Sequence, residues 1–153
     1  MPPAPVAFVR QPGEGIANAA FHLPRRLLVT AEDSGGHSSQ WIEDVPAGIG
    51  PPLHVHHHED EAFHILGGSF RFMANGVVHE AGSGATVYIP RGTPHTFKNI
   101  GDGAGRLFVT MTPGGFEKFF LAVEAAGLQP ETAMAEIVAL AERHGLTFVG
   151  PPL

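Results

Sequence analysis

The chain has 153 residues, of which 43% are hydrophobic and 16% are charged, and its formal charge is −6. This composition predicts one globular domain, and a negative net charge with only nine scattered Lys and Arg residues argues against a nucleic-acid or anionic-membrane surface. The absence of cysteine excludes a disulfide, a thiolate ligand and a cysteine nucleophile. Because the first residues lack the basic and apolar regions of a signal peptide and no apolar run is long enough to span a bilayer, we expect a cytoplasmic protein.

Short β-strands are predicted for most of the chain. Residues 1–23, rich in Pro, Gly and Ala, are expected to form an extended arm, and residues 24–112 to form strands separated by turn residues. The clearest segment is SFRFMANGVVHE, in which Asn75 and Gly76 favour a type I′ turn between two alternating strands. RLLVTAE and HSSQWIEDV flank a Ser-Gly-Gly turn, and ATVYIP, HTFKNI and RLFVTM continue the series. The sequence therefore predicts an all-β domain.

The hydrophobic period changes after Thr112. The segment GFEKFFLAVEAAG places four apolar side chains on one face of a helix, Phe116, Phe119, Phe120 and Val123. The segment PETAMAEIVALAERHG predicts a second helix, with Pro near its start and Gly after its end. We therefore predict that residues 113–153 form a helical segment packed on the β-domain, and we interpret the phenylalanine stripe as plain packing.

Five of the ten histidines lie in PPLHVHHHEDEAFHILGG, which is typical of either a metal site or a solvated polar loop. On a strand, residues two apart project from one face, so His54 and His56 point together. Glu61 begins the next apolar segment and His95 opens HTFKN, and a rolled sheet would bring all four groups to one point. Three imidazoles and one carboxylate suit a divalent first-row metal, and burying them without a metal is unfavourable unless each is hydrogen-bonded.

Two motifs connect these residues to a known family. The pattern Gly48-x5-His54-x-His56-x4-Glu61-x6-Gly68 matches the first cupin motif, and Gly84-x5-Pro90-x-Gly92-x2-His95-x3-Asn99 matches the second. The sequence thus resembles a single-domain cupin. The resemblance implies that residues 24–112 form a cupin-type double-stranded β-helix, a jelly-roll barrel of two facing sheets. It also implies a homodimer and one divalent metal ion per chain, held by His54, His56, Glu61 and His95.

A second resemblance covers more of the chain. GPPLHVHHHEDEAFHILGG, VYIPRGTPHTFKN, TPGGFEKFF and the tail RHGLTFVGPPL are similar to bacterial monocupins labelled quercetin 2,3-dioxygenase-like. This resemblance implies a dioxygenase of a flavonol-like or other enolisable small molecule, in which substrate deprotonation and binding through oxygen precede attack by dioxygen. Glu61 is the only ligand that can also take a proton, so we assign it the catalytic role. One departure is His64, which stands where an aromatic residue is expected.

Two further functions use the same four residues. One is a non-oxidative isomerase, decarboxylase or lyase that works through an enolate, and the other is a non-enzymatic cupin that binds a small molecule. Oxygen consumption distinguishes the dioxygenase from the non-oxidative enzyme, whereas tight binding without turnover would favour the binding protein. Nitrogen and oxygen ligands admit Fe, Mn, Co, Ni, Cu or Zn, so the sequence leaves the metal open.

The other polar residues around the motifs have simpler interpretations. The run from His57 to Asp60 is interpreted as a solvated loop that follows the HxH strand. His64 is interpreted as a partly buried packing or interface residue, since a lone histidine is a weak functional signal. Asn99 is interpreted as a turn or strand-end residue rather than a ligand.

An apolar pocket is expected to face the metal site. Its wall is predicted to contain five apolar side chains, Phe63, Ile65, Phe72, Phe97 and Met111. This pocket would enclose a small-molecule substrate, with dioxygen as the co-substrate in the oxidative hypothesis. We expect neither a nucleic acid nor a membrane as a partner.

Overall fold

Several strands of this protein alternate buried and more exposed residues, and together the strands form two antiparallel sheets that face each other. The computed structural model describes residues 3–153. The strands are β1 (Ile16–Asn18), β2 (Arg25–Val29), β3 (Ser39–Val45), β4 (Leu53–His56), β5 (Asp60–Gly67), β6 (Ser69–Ala74), β7 (Val77–Gly82), β8 (Thr86–Ile89), β9 (His95–Asn99), β10 (Gly105–Thr112) and β11 (Leu146–Gly150). The first sheet has the order β1-β2-β3-β10-β5-β8, and the second has the order β11-β4-β9-β6-β7.

The two sheets form a sandwich rather than a closed barrel. Within residues 3–153, no strand belongs to both sheets, so the hydrogen-bond ladder does not run around the domain. The predicted facing sheets are therefore confirmed, whereas the predicted barrel closure is not found. The arrangement brings the inner faces of β5 and β4 towards each other, and these are the strands that carry the first motif.

Two predicted helices follow the strands and are confirmed. Helix α2 (Glu117–Ala125) and helix α3 (Pro130–Arg143) come after a one-turn helix, α1 (Ala31–Ser34). Pro130 is the first residue of α3, where its missing N–H removes no helical hydrogen bond. None of the helices among residues 3–153 combines the length and the apolar composition that crossing a membrane requires.

The predicted hairpin turn is also confirmed. Ala74 of β6 lies opposite Val77 of β7, which leaves Asn75 and Gly76 as a two-residue loop. Both loop residues have positive φ, 51° for Asn75 and 78° for Gly76. This conformation is required by a type I′ turn and is adopted most readily by Asn and Gly. The turn fixes the register of the β6–β7 pair.

Phenylalanine rings fill the space between the sheets. The ring of Phe63 on β5 lies 5.2 Å from that of Phe72 on β6 and 5.6 Å from that of Phe97 on β9, measured between centroids. All three side chains are buried, and burying an apolar side chain of this kind contributes about 1.5–3 kcal/mol to the free energy of unfolding. The aromatic layer therefore joins the sheet that contains β5 to the sheet that contains β9.

The N-terminal region departs from the predicted extended arm of residues 1–23. The first two residues of that arm lie outside the described residues. Strand β1 pairs with β2, with Ile16 opposite Leu27, and a single 3-10 turn covers Ala20–His22. The segment RLLVTAE is likewise not one strand, because β2 ends at Val29 and α1 follows it. Thr30 caps α1 through a hydrogen bond from the backbone N–H of the third helical residue, a signal that the strand interpretation overlooked.

Strand β11 is an element that the sequence analysis did not predict. It pairs antiparallel with β4, with Leu146 opposite His56 and Phe148 opposite His54. Its five residues, LTFVG, lack a strict alternation of apolar and polar side chains, so their pattern does not indicate a strand. The pairing covers the outer edge of β4, the strand that carries two of the predicted ligands.

Candidate metal centre

The four predicted ligands converge from the two facing sheets. His54 and His56 project inward from β4, and His95 at the start of β9 lies directly opposite His54 in the register of the second sheet. Glu61 projects from β5 in the first sheet, where it lies opposite Met111 of β10. All four side chains are buried. The alternation of residues along each strand therefore carries three imidazoles and one carboxylate to one point.

The distances within this four-residue cluster suit a single ion. Each residue offers one ligand atom, and these atoms all lie within 4.8 Å of one another. Oε2 of Glu61 is 3.0 Å from Nε2 of His95 and 3.4 Å from Nε2 of His56. The buried Nδ1 of His56 has no hydrogen-bond partner among residues 3–153. The cluster can therefore hold one metal ion.

Two of the histidines are fixed in a defined tautomer. Nδ1 of His54 donates to the carbonyl oxygen of Pro52, and Nδ1 of His95 donates to that of Thr93, both at 2.8 Å. Since a carbonyl oxygen only accepts, Nε2 of each neutral ring is left with a lone pair. Nε2 of His95 and Oε2 of Glu61 are then two acceptors 3.0 Å apart. That approach is favourable only with a proton or a metal ion between them, so the donor set fits a divalent metal.

Burial and mutual repulsion set the charge of the imidazoles. Burial lowers the pKa of His54 to about 3, with a further contribution from the charge of His95. Burial also holds the pKa of His56 well below its ordinary value, and the neighbouring histidines add to this effect. For His95, burial opposes protonation, but the hydrogen bond and charge of Glu61 outweigh it and raise the pKa. His54 and His56 are therefore uncharged near neutral pH, which is the form that binds metals.

The cluster opens on an apolar cavity of about 220 Å³. Two of the predicted wall residues, Phe63 and Phe97, line this cavity, whereas Ile65, Phe72 and Met111 are buried in the core and do not line it. The difference arises because inward positions on a strand serve either the cavity or the packing between sheets. The alternation of side chains along a strand does not distinguish residues that line the cavity from residues that pack between the sheets.

The phenylalanine stripe of α2 lines the same cavity. The ring of Phe116, which precedes α2, meets that of His56 edge-on with centroids 4.5 Å apart. Phe119 and Phe120 follow on the cavity wall. The interpretation of this stripe as plain packing was therefore incomplete, because its members pack in the core and also form part of the cavity surface. A helical apolar stripe looks the same in both cases.

Three further cavity residues were missed by the sequence analysis. Arg25 of β2 and the β3 residues Trp41 and Glu43 line the cavity and are buried. A signal for them was available in HSSQWIEDV, where alternation places Ser39, Trp41, Glu43 and Val45 on one buried face. A charged residue on such a face is uncommon, since burying a carboxylate requires a partner.

The segment that follows the HxH strand is only partly the solvated loop that we predicted. His57 and His58 are exposed, as expected, and Asp60 forms an ion pair with Arg91 at 3.1 Å. Glu59, however, is buried, and its Oε1 has no hydrogen-bond partner among residues 3–153. Burial, followed by the charge of Glu61, raises the pKa of Glu59 to about 7. The prediction of a solvated Glu59 was wrong because the chain turns the side chain inward before β5 begins.

His64 and Asn99 lie outside the cluster. His64 is exposed on β5 and hydrogen-bonds to Thr86 at 3.0 Å, so its interpretation as a partly buried residue was wrong. Asn99 is buried at the end of β9, where its amide donates to the carbonyl oxygens of Val45 and Gly103. Its predicted role as a strand-end residue is confirmed. Among residues 3–153, the four-residue cluster is the one group of His, Asp and Glu with the geometry of a metal site.

Comparison with known proteins finds a family similarity within the β-domain. Residues 41–111 match the cupin domain family Cupin_2. An uncharacterised protein of Methanocaldococcus jannaschii is 38% identical over 58 residues, which is 38% of this chain and 46% of that protein. The chain therefore spans less than half the length of this relative.

Solved structures share the fold at low identity. An RmlC-like cupin from Shewanella frigidimarina has a TM-score of 0.62 and 15% identity, over 71% of this chain and 93% of that one. The polyketide cyclase RemF from Streptomyces resistomycificus has a TM-score of 0.60 and 22% identity, over 70% of this chain and 80% of that one. The family match covers the strands that carry the four-residue cluster. Together with the shared fold, it shows that the β-domain of this chain is similar to cupin domains.

Proposed function

We propose that the protein is a metal-dependent dioxygenase that acts on a flavonol-like aromatic compound with adjacent hydroxyl and carbonyl oxygens. The proposal depends on one observation, which is that a buried cluster of three histidines and one glutamate opens on a cavity lined by phenylalanines. The cluster would hold a metal ion with affinity for such oxygens, and the cavity offers aromatic surface to the rings of the compound.

The reaction begins with the loss of the hydroxyl proton of the substrate. A divalent metal supplies Lewis acidity when bound, and this favours the anion of a substrate hydroxyl. Glu61 is the carboxylate of the cluster, and its Oε2 can accept and hold the released proton. The backbone bonds of His54 and His95 keep both rings oriented without help from the substrate. This preorganisation lowers the cost of arranging the site during turnover.

The aromatic wall excludes water from the reacting groups. Phe116 covers one face of the cluster through its edge-on contact with His56, and Phe63 and Phe97 line the cavity beside it. With water excluded, a metal held by the four residues would attract a substrate anion with less screening. Apolar dioxygen is also more soluble in such a cavity than in water. The wall therefore supports both anion binding and the oxidative reaction.

Oxygen uptake tests this proposal. Protein loaded separately with each candidate metal is mixed with a flavonol in a closed oxygen-electrode cell. We expect at least one metal to support oxygen consumption in step with the loss of flavonol absorbance, and EDTA to stop both. Loss of flavonol without oxygen consumption, or no loss with any of the metals, would contradict a dioxygenase.

A second candidate is non-oxidative chemistry through an enolate at the same site. It is supported by the fold shared with the polyketide cyclase RemF, which is 22% identical to this chain. The same metal and the same carboxylate would serve, since proton abstraction beside a carbonyl needs a base and a Lewis acid but no dioxygen. Product formation under argon distinguishes this candidate, and tight binding without any product would favour a binding protein.

A further inference from the structure

A buried ion pair forms part of the cavity wall away from the four-residue cluster. Arg25 of β2 lies opposite Glu43 of β3 in the sheet register, and Nη2 of Arg25 is 2.6 Å from Oε1 of Glu43. The two side chains are 1% and 6% exposed, and both line the cavity. Two charges this deeply buried are stable only when they are paired and hydrogen-bonded. The pair is thus a polar feature in an otherwise apolar wall.

The donors of Arg25 are committed to protein groups. Its Nε and Nη2 both donate to Oε1 of Glu43, and its Nη1 donates to Oδ1 of Asn18 at 2.7 Å and to the carbonyl oxygen of Ala20 at 3.0 Å. The guanidinium carbon also lies 3.8 Å from the ring centroid of Phe120. Arg25 is therefore a positioning residue, which holds the Glu43 carboxylate in one orientation.

The second carboxylate oxygen of Glu43, Oε2, receives no hydrogen bond from Arg25. Both hydrogen bonds from Arg25 go to Oε1, and no donor within residues 3–153 reaches Oε2. Oε2 is not fully enclosed by protein and Glu43 lines the cavity, so this oxygen is the polar atom of Glu43 that a ligand there can reach. An ionised carboxylate only accepts hydrogen bonds. The cavity thus presents a fixed acceptor to whatever enters it.

This acceptor is remote from the four-residue cluster. Glu61 lies opposite Met111, and Met111 lies opposite Ser39, which is four residues from Glu43 on β3. At about 3.3 Å per residue, four residues correspond to roughly 13 Å along the strand. The intervening wall is aromatic, because Phe120 packs edge-on against Trp41 with centroids 5.5 Å apart. The cavity therefore has a polar group at each end and aromatic surface between them.

We propose that the ligand of this cavity is an elongated polyhydroxylated aromatic compound, and that Glu43 selects it by accepting a hydrogen bond from a hydroxyl at the end remote from the metal-binding oxygens. This inference depends on the proposed function for the chemistry at the metal end. Arg25 neutralises the charge of Glu43, so a neutral hydroxyl suits this end of the cavity better than a cation does. An anion is disfavoured because the free carboxylate oxygen faces it.

Ligand binding tests the proposal independently of turnover. The probes are 3-hydroxyflavone, 3,7-dihydroxyflavone and 3,4′-dihydroxyflavone, and zinc-loaded protein is titrated without oxygen. Quenching of the single tryptophan, Trp41, reports binding because this residue lines the cavity. We expect one of the dihydroxyflavones to bind at least about 10-fold more tightly than 3-hydroxyflavone, as a hydrogen bond to a charged acceptor supplies that much affinity.

Two substitutions on β3 distinguish a role of Glu43 in ligand selection from a purely structural role. Glu43→Gln should reduce the preference for the dihydroxyflavone at least about 3-fold and leave the affinity for 3-hydroxyflavone within about 3-fold, since the neutral amide lacks the charge that strengthens the hydrogen bond with the remote hydroxyl. Asp44→Asn is the matched control, because Asp44 pairs with Arg106 on the outer surface at 2.8 Å, and it should change neither affinity. If Glu43→Gln does not fold, methylation of the remote hydroxyl should abolish the preference in the wild-type protein.

The outcomes distinguish this inference from the proposed function. Equal binding of all three flavones by the wild-type protein, or an equal loss of affinity for all three in Glu43→Gln, would overturn the selection role and leave the ion pair as a link between β2 and β3. Failure of every flavone to bind would overturn both proposals. Selective binding that depends on Glu43, but without oxygen uptake, would support the inference and reject the dioxygenase.

Discussion

Replacing His56 or His95 by alanine is expected to remove most of the bound metal. The ligand atom of each imidazole lies within 4.8 Å of the ligand atoms of the other three residues. Glu61 would then face a gap where a neutral donor had been. Loss of a group that only hydrogen-bonds to a metal ligand weakens metal binding by roughly 10- to 100-fold. Loss of a direct ligand should exceed that, so we expect at least about 100-fold weaker binding. Elemental analysis after dialysis against a chelator of known affinity measures the effect.

The loop histidines provide the control for this experiment. His57 and His58 are exposed, and His57 hydrogen-bonds to Thr147 at 2.9 Å rather than pointing into the cluster. The double variant His57→Ala, His58→Ala should therefore keep its metal. If this variant loses as much metal as His56→Ala does, the division of the histidine run into ligands and loop residues is wrong.

Replacing Glu61 by glutamine is expected to separate metal binding from proton transfer. Glutamine retains a ligand oxygen of similar position and size, so some metal should stay bound. It is not a base, however, and the loss of general-base catalysis reduces turnover by about 100- to 10,000-fold. The comparison is made at equal metal occupancy, with turnover measured for whichever substrate the oxygen-uptake or argon experiments identify.

Asp60→Asn is the control for Glu61→Gln, because it changes the adjacent carboxylate in the sequence. The Asp60 carboxylate is half-buried and pairs with the exposed Arg91, and the hydrogen bonds from Arg91 lower the pKa of Asp60 to about 2. Its replacement should leave turnover within about 3-fold of the wild-type value, because it removes a partly exposed pair of small energetic value. Full activity of Glu61→Gln at equal occupancy would remove Glu61 from the catalytic role.

The four-residue cluster was predicted partly by local rules and partly by the resemblance to cupins. Alternation along a strand places His54 and His56 on one face, and the motif spacing places Glu61 and His95 on the strands that follow. The hairpin at Asn75 was predictable for the same reason, since the turn type depends on two adjacent residues. The pairing of β4 with β9, and the position of β5 opposite them, are not local features, and for these the prediction depended on the resemblance.

The rest of the site depends on tertiary contacts that the sequence pattern does not specify. Arg25 and Glu43 meet because β2 pairs with β3 in one register, and a shift of β2 by one residue would turn Arg25 to the outer face and leave Glu43 without its partner. Phe116 reaches His56 only because α2 packs its phenylalanines against Phe21 and Trp41, which are distant in the sequence. Glu59 becomes buried through the path of a loop, for which hydrophobic periodicity carries no information.

Anaerobic titration of the metal-loaded protein with a flavonol tests the central claim most directly. If the buried cluster holds a metal that binds the substrate oxygen as an anion, the flavonol absorbance should shift to longer wavelength and saturate at one equivalent per chain. The shift should vanish with EDTA or in His95→Ala, and admission of air should bleach it. No shift with any candidate metal would contradict the claim, and the enolate chemistry of a different substrate would then replace it.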